Sequence, residues 1–290
     1  MKIKTSNLLV AIILFAATAF GQSSVWKISG NGKTVFLGGT VHILKEKDFP
    51  LPDEFDLAYG QADLLVFEAD VKQVQSQEGM AKLMQAAIYG GDTTLQTVLS
   101  QPVYDSLSKA FSEAGMSIKM FDKMRISMTI MSLVAIKLRN MGMTNEGVDM
   151  YYYTKAIESE KEIQFLETVE KQIHILLHMG EGFEDAFVKY SLRDLHQIET
   201  MLTELVNSWR SGNTKFEEAI IEEMATDFPV LYNNLLAERN NDWMKTIDGY
   251  FETDAVEFVL VGNLHMYGNE GLLNQLKDKG YKIEQISAGK

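Results

Sequence analysis

The chain has 290 residues, enough for one large α/β domain or two small ones. It has no cysteine, which excludes disulfides, a thiol nucleophile and a cysteine zinc cluster, so any metal must be held by His, Asp or Glu. A net charge of −13 argues against a nucleic-acid partner, whose binding relies on Lys and Arg neutralising phosphates.

The chain opens with Lys2 and Lys4, then an apolar run from Leu8 to Phe20 interrupted only by Thr18, then Ala19-Phe20-Gly21. This is the pattern of a signal peptide over residues 1–21, with the mature chain starting near Gln22 and exported to the periplasm or beyond. The run falls short of the ~20 residues that span a bilayer, so no stable membrane span is expected after cleavage. Next, Val25–Ser29 and Thr34–Leu37 flank Gly30-Asn31-Gly32-Lys33, a hairpin turn signal. Strands are expected over Asp63–Glu68, Glu162–Leu166 and Val256–Val261, with Tyr281–Ile286 alternating as an edge strand.

Between these runs, apolar spacings of three and four predict helices over 74–88, 100–113, 122–140, 148–159, 170–178, 183–210, 214–224 and 228–250. Asp122 and Asp227 read as helix N-caps, and Gly90, Gly142 and Gly180 as stops. Ile126–Ile136 is very apolar but short and carries Ser127, Thr129 and Ser132, which suits a buried core helix. The 16 methionines suit core filling and groove lining. The expected fold is α/β: a central mixed β-sheet flanked by helices, one domain over 22–290, with large helical insertions at about 72–160 and 170–250.

Two stretches echo each other: Leu37-Gly38-Gly39-Thr40-Val41-His42 and Leu260-Val261-Gly262-Asn263-Leu264-His265. Each is a β-type run followed by Gly-x-x-His, which places a histidine on the loop beyond a strand end. Loops at the carboxyl ends of α/β strands are where ligands collect, so the pair reads as half of a metal or acid/base site. Glu68 ends the strand before it and could ligate a metal, act as general base or orient an imidazole, with Asp70 a near competitor. Glu167 is another strand-end acid within reach of the same cleft, and Arg239 is either an oxyanion clamp or a helix-surface charge.

His174 and His178 share a helix face, but Ile175 stands where a His-Glu-x-x-His motif needs its glutamate, so they read as a helix face. His196 reads as surface. There is no Gly-x-Ser-x-Gly elbow, Gly-x-Gly-x-x-Gly or Walker A loop, which leaves serine catalysis and nucleotide cofactors without support.

The two Gly-x-x-His segments resemble the TraB/GumN (TraB/PrgY) family when taken in series with Val66–Asp70, Gly147-Val148-Asp149, Phe165–Gln172, Glu238–Trp243 and Val261–Leu273. These segments cover nearly the whole mature chain. The resemblance implies an α/β fold shared with Tiki metalloproteases and, more distantly, erythromycin esterase and ChaN-like proteins. By motif it implies a divalent metal site at His42, Glu68 and His265. Asn263 departs from the small residue that many relatives carry there.

The function expected is an exported metal-dependent hydrolase of the peptidase type, acting on a peptide or protein substrate. The metal is a divalent cation, Zn, Mn or Co, held by His42, His265 and Glu68 or Glu167. Glu68, Glu167 and Arg239 are the catalytic candidates: a carboxylate takes a proton from water and Arg239 stabilises the oxyanion. Two alternatives use the same chain: a metal-independent, esterase-like hydrolase, or a non-catalytic peptide-sequestering protein of the pheromone-shutdown type.

Overall fold

The computed structural model describes residues 22–144 and 146–288, so the expected signal peptide lies outside the described residues. The strands are β1 (Gln22–Gly30), β2 (Lys33–Thr40), β3 (Leu64–Phe67), β4 (Glu162–Phe165), β5 (Glu257–Gly262) and β6 (Lys282–Ser287). They form one sheet in the order β4-β3-β5-β2-β1-β6. β4, β3, β5 and β2 run parallel, while β1 is antiparallel to both β2 and β6, so the sheet is mixed, as expected. β6 lies at the edge. In the turn between β1 and β2, Asn31 and Gly32 both have positive φ, which matches the right-handed strand twist in a two-residue loop.

Alternation along each strand splits the core in two. Val35, Leu37, Val66, Val259 and Val261 pack into one cluster, while Phe36, Leu65, Phe67, Phe258 and Leu260 pack into the other. Both faces are therefore covered by helices, and the parallel strands read as continuous apolar runs.

Before β3 comes α1 (Asp53–Gln61). Between β3 and β4 lie α2 (Val71–Gln75), α3 (Gln77–Ala86), α4 (Leu95–Val98), α5 (Gln101–Glu113), α6 (Ile126–Asn140) and α7 (Val148–Glu158). Between β4 and β5 lie α8 (Val169–His178), α9 (Glu184–Ser211), α10 (Lys215–Asp227), α11 (Pro229–Tyr232) and α12 (Glu238–Gly249), and α13 (Leu272–Asp278) precedes β6. The two expected insertions are thus α2–α7 and α8–α12.

Two expected caps are corrected. α6 starts at Ile126, not 122, because the Asp122 carbonyl accepts from Leu95 N–H and Arg125 N–H donates to the Ala87 carbonyl. Asp227 is the last residue of α10, and the next helix begins at Pro229, whose fixed φ and missing N–H suit a first helical position. Gly142 and Gly180 do follow helix ends with positive φ, whereas Gly90 lies beyond the end of α3 at Ala86. The apolar α6 packs Ile126, Ile130 and Leu133 into the core. Among the described residues no helix is long and apolar enough to cross a membrane.

Candidate active site

Because β2, β3, β4 and β5 are parallel, their carboxyl ends share one edge of the sheet, and the residues just beyond them meet there. His42 follows β2, Glu68 follows β3, Glu167 follows β4, and His265 lies three residues past Gly262 at the end of β5. The two glycine–histidine stretches are neighbours in register, with Gly39 paired to Val261 and Thr40 to Gly262.

Arg239 reaches this edge from α12. The segment before it, Asn233–Ala237, is a π-turn, a local widening of the helix often found at functional sites. Arg239, Asn240 and Trp243 all turn inward and are buried. Arg239 is therefore not a surface charge. Its Nε and Nη2 donate to the two oxygens of Glu167 at 3.2 and 2.6 Å, and Nη2 also donates to Glu68 Oε2 at 2.6 Å. Nη1 donates to the Leu235 carbonyl at 3.2 Å and faces His265 Nε2 at 3.0 Å.

The remaining contacts fix both imidazoles. Asn240 Nδ2 donates to the carbonyls of His265 and Glu270, which leaves its Oδ1 to accept from His265 Nδ1 at 2.6 Å. His265 therefore carries its proton on Nδ1 and turns a lone pair on Nε2 inward. Burial, with Arg239 and His42 nearby, lowers its pKa to about 3, so it is neutral. His42 Nδ1 donates at 2.7 Å to Asp149 Oδ2, whose other oxygen accepts from the Thr40 hydroxyl. The Asp149 charge outweighs desolvation and raises the His42 pKa to about 9, so this imidazole is charged at neutral pH. Glu68 is buried, which alone would raise its pKa. Arg239, both histidines and the Gly262 N–H at 2.7 Å reverse this and bring it to about 2.

Gly262 leaves open the space these groups face. A Cβ there would lie 3.3 Å from Glu68 Oε1, 3.5 Å from His42 Nε2 and 3.6 Å from His265 Cδ2. The groups about that space, His42 Nε2, Glu68 Oε1 and the His265 ring, are of types that hold a divalent cation, and Asp149 and Asn240 hold the outer ring nitrogens as metal-site partners do. Three carboxylates, Glu68, Glu167 and Asp149, face Arg239 and the charged His42. Among the described residues no three His, Asp or Glu side chains already stand at ligand spacing. Arg239 Nη1 lies against His265 Nε2, so a cation there would take the place of that contact.

The cleft has two lobes about these residues. One, of about 380 Å³, runs from His42, Glu68 and Arg239 past Asp149 and Gln172 to Met131 and Leu176. The other, of about 300 Å³, runs from the same three residues to Leu205 and Ile220. A molecule could therefore extend to both sides of the reactive centre.

All five candidates meet here: His42, Glu68, Glu167, Arg239 and His265. Glu167 differs from expectation in detail. Both its oxygens are engaged by Arg239, and Trp243 Nε1 donates to one of them at 3.3 Å, so it holds the guanidinium. Asp70 caps α2 by accepting from Gln73 N–H. His174 and His178 stack with ring centroids 4.1 Å apart in a separate groove, and His196 is exposed.

Asp149, Asn240 and Gln172, which donates to Glu68 Oε2 at 3.3 Å, were not among the sequence candidates. The one available signal was position: Asp149 lies two residues past Gly147, and a side chain at Gly147 would collide with the His42 backbone. Asn263 points away into a buried network with Ser24, Glu217 and Tyr267.

The family model described as TraB/PrgY/gumN matches residues 24–285. No curated protein and no solved structure matches the chain. The match spans β1 to β6 and contains every residue of the cleft described above. The chain belongs to the TraB/PrgY/gumN family.

Proposed function

We propose that this protein is an exported hydrolase that cleaves amide bonds of a peptide-type substrate in the two-lobed cleft. The observation that carries the reading is the convergence of His42 Nε2, Glu68 Oε1 and the His265 ring on the open face of Gly262. These three residues would hold a divalent cation, Zn, Mn or Co, which when bound lowers the pKa of water and polarises a carbonyl. The relationship to Tiki metalloproteases implied by the motifs points the same way.

The chain's own groups divide the remaining work. Of Glu68 and Glu167, only Glu68 turns an oxygen to the open space, so Glu68 is the carboxylate that would join the two histidines in holding the cation. Arg239 has every N–H engaged, so it would meet negative charge on the carbonyl oxygen through Nη1 once the cation takes the place of its contact with His265 Nε2. Asp149 and Asn240 keep the two imidazoles in register.

A second reading is favoured by the contacts of Arg239. Its guanidinium already serves as a cation between Glu68 and His265, and the charged His42 can protonate a leaving group without a metal. This is the esterase-like alternative.

One experiment separates the readings. The purified mature chain is assayed for metal content and for cleavage of a peptide library with added Zn, Mn or Co, beside the His42→Ala/His265→Ala double variant and Glu68→Gln. Near-stoichiometric metal, lost with cleavage in the double variant, is expected. Cleavage insensitive to chelators would favour the metal-independent reading. Peptide binding without cleavage, undiminished in the double variant, would favour sequestration and refute hydrolysis.

A further inference from the structure

Glu217 on α10 is 1% exposed and takes no part in the cleft. Its Oε1 accepts from Asn263 Nδ2 at 2.7 Å, and its Oε2 contacts the Ser208 hydroxyl near the end of α9. That hydroxyl has a second partner, the Asn213 carbonyl. A hydroxyl carries one proton and a carbonyl only accepts, so the Ser208 proton goes to Asn213. Glu217 Oε2 can then bond Ser208 Oγ only by donating, which makes this side chain a carboxylic acid. An ionised Glu217 would set lone pair against lone pair at one of the two contacts, in a place closed to solvent.

The rest of the network runs in the same direction. The Ser24 hydroxyl donates to Asn263 Oδ1, so the Tyr267 hydroxyl, 3.0 Å from Ser24 Oγ, is the donor there. Donors thus pass from Tyr267 to Ser24, Asn263, Glu217, Ser208 and the Asn213 carbonyl, each bond polarising the next. Among the described residues no cation is bonded to Glu217. On α9, Arg210 turns to the Asp48 and Pro50 carbonyls, Arg193 to Asp194 and Glu223, and Glu204 is exposed. Tyr232 of α11 turns to the Glu270 backbone, His265 is neutral and held by Asn240, and Lys215 lies on another face of α10. Burial raises the Glu217 pKa and the neighbouring Glu218 adds to it, although Ser208 and Asn263 pull the other way.

We propose that one proton held on Glu217 locks the turn bearing His265, Asn263–Met266, to α9 and α10, and that losing this proton as pH rises frees the turn. Asn263 is the first residue of that turn, and Glu217 is its link to the helical insertion. Gly39 admits the network against β2, since a Cβ there would lie 2.1 Å from Asn263 Oδ1 and 2.4 Å from Ser24 Oγ. Glu217 is therefore a positioning residue for His265, whether or not the site binds metal or hydrolyses anything. In the opened turn Glu217 meets water and titrates near the ordinary 4.5, whereas in the closed turn it keeps its proton to higher pH. Opening releases a proton, so its equilibrium constant rises by up to about tenfold per pH unit above 4.5, until the closed form ionises too.

Amide hydrogen exchange over Asn263–Met266, corrected for the intrinsic rate at each pH, reads this opening. Metal-free wild type is compared with Glu217→Gln from about pH 5 to about pH 8. Gln keeps both contacts, with its N–H donating to Ser208 Oγ and its carbonyl accepting from Asn263, and has no proton to lose. Protection should fall in wild type by up to about tenfold per pH unit and stay flat in Glu217→Gln. In urea titrations, the stability of Glu217→Gln relative to wild type should climb with pH. Infrared spectra at pH 7 should show a protonated-carboxyl C=O band that Glu217→Gln removes and Asn263→Ala shifts.

Protection that is independent of pH in wild type, or equally dependent in both proteins, would overturn the lock. A Glu217→Gln chain that loses stability relative to wild type as pH rises would show that the carboxylate is the native form, and would overturn it as well. Should Glu217→Gln not fold, the infrared comparison of wild type with Asn263→Ala decides alone: the absence of a band that moves refutes the proposal.

Discussion

Replacing Arg239 with methionine removes the one cation between two buried carboxylates while keeping most of the side-chain volume. The side chains of Glu167 and Glu68 are only 1% and 9% exposed, so water cannot solvate the charges left behind. Orphaning a buried charge in this way costs about 3–5 kcal/mol. At 2–4 °C per kcal/mol for a chain of this size, the thermal midpoint should fall by roughly 10 °C. Adding Glu167→Gln removes one of the two orphaned charges, so the double variant should recover about 1–3 kcal/mol of coupling.

The sign of the pH dependence is fixed as well. Without Arg239 a folded-state carboxyl titrates above its unfolded value, so the variant gains stability as pH falls through that raised pKa. Wild-type Glu68, held near 2, contributes fully above its unfolded value of about 4.5 and loses that contribution progressively as pH falls from there to about 2. Urea denaturation of wild type, Arg239→Met, Glu167→Gln and the double variant at pH 7 and pH 4.5 checks this. A deficit under 1 kcal/mol at pH 7, or one that does not narrow at pH 4.5, would refute the assignment of Arg239 as the counter-ion of both carboxylates.

Gly262→Ala puts a Cβ 3.3 Å from Glu68 Oε1, which must give way slightly, and fills the open face, so the chain should still fold while the proposed hydrolysis falls; circular dichroism and turnover check the two halves. Gly39→Ala should cost about 1–3 kcal/mol in denaturant titrations, because its Cβ would collide with both Asn263 Oδ1 and Ser24 Oγ in a buried network. Asp149→Asn should lower the His42 pKa from about 9 by roughly one pH unit or more, as followed by imidazole NMR in the metal-free protein. The matching stability effect is small, about 1 kcal/mol, because the His42 side chain is 63% exposed and solvent screens it. That contribution is full below the unfolded pKa near 6.5 and is lost as pH rises through about 9, so wild type and Asp149→Asn should converge in stability above pH 9.

The strand-borne part of the site was legible because strand ends need no tertiary knowledge. Once four apolar runs are read as parallel, the residues after Thr40, Phe67, Phe165 and Gly262 must share an edge, and His42, Glu68, Glu167 and His265 follow. Helix-borne partners were not legible in this way. Asp149 meets His42 only because Gly147 lets the start of α7 press against the His42 backbone, and Asn240 meets His265 only because the π-turn ahead of it sets the phase of α12. Both residues lay inside motifs whose order was read and whose direction was not. The misplaced start of α6 has the same origin: Asp122 has the chemistry of a cap, but its carbonyl accepts from the N–H of Leu95 at the start of α4. The short α1 escaped notice because nine residues rich in acids and a glycine carry too little periodicity to separate from a loop.

Charge, more than the identity of any one side chain, sets what the cleft can do. With the carboxylates of Glu68, Glu167 and Asp149 gathered about the one guanidinium of Arg239, the site draws positive charge, and the metal-free chain supplies part of it by keeping a proton on His42. That proton disables His42 as a base at neutral pH. His265, although neutral, has its lone pair facing Arg239, and Glu68 is too acidic to abstract a proton from free water. A base strong enough for hydrolysis therefore requires either the loss of the His42 proton or a cation in its place. The proposed metal and the His42 proton compete for one vacancy, and Asp149 stabilises whichever of them is present. The same carboxylate thus serves both hydrolytic readings, and chelator sensitivity, not the arrangement of the residues, is the measurement that divides them.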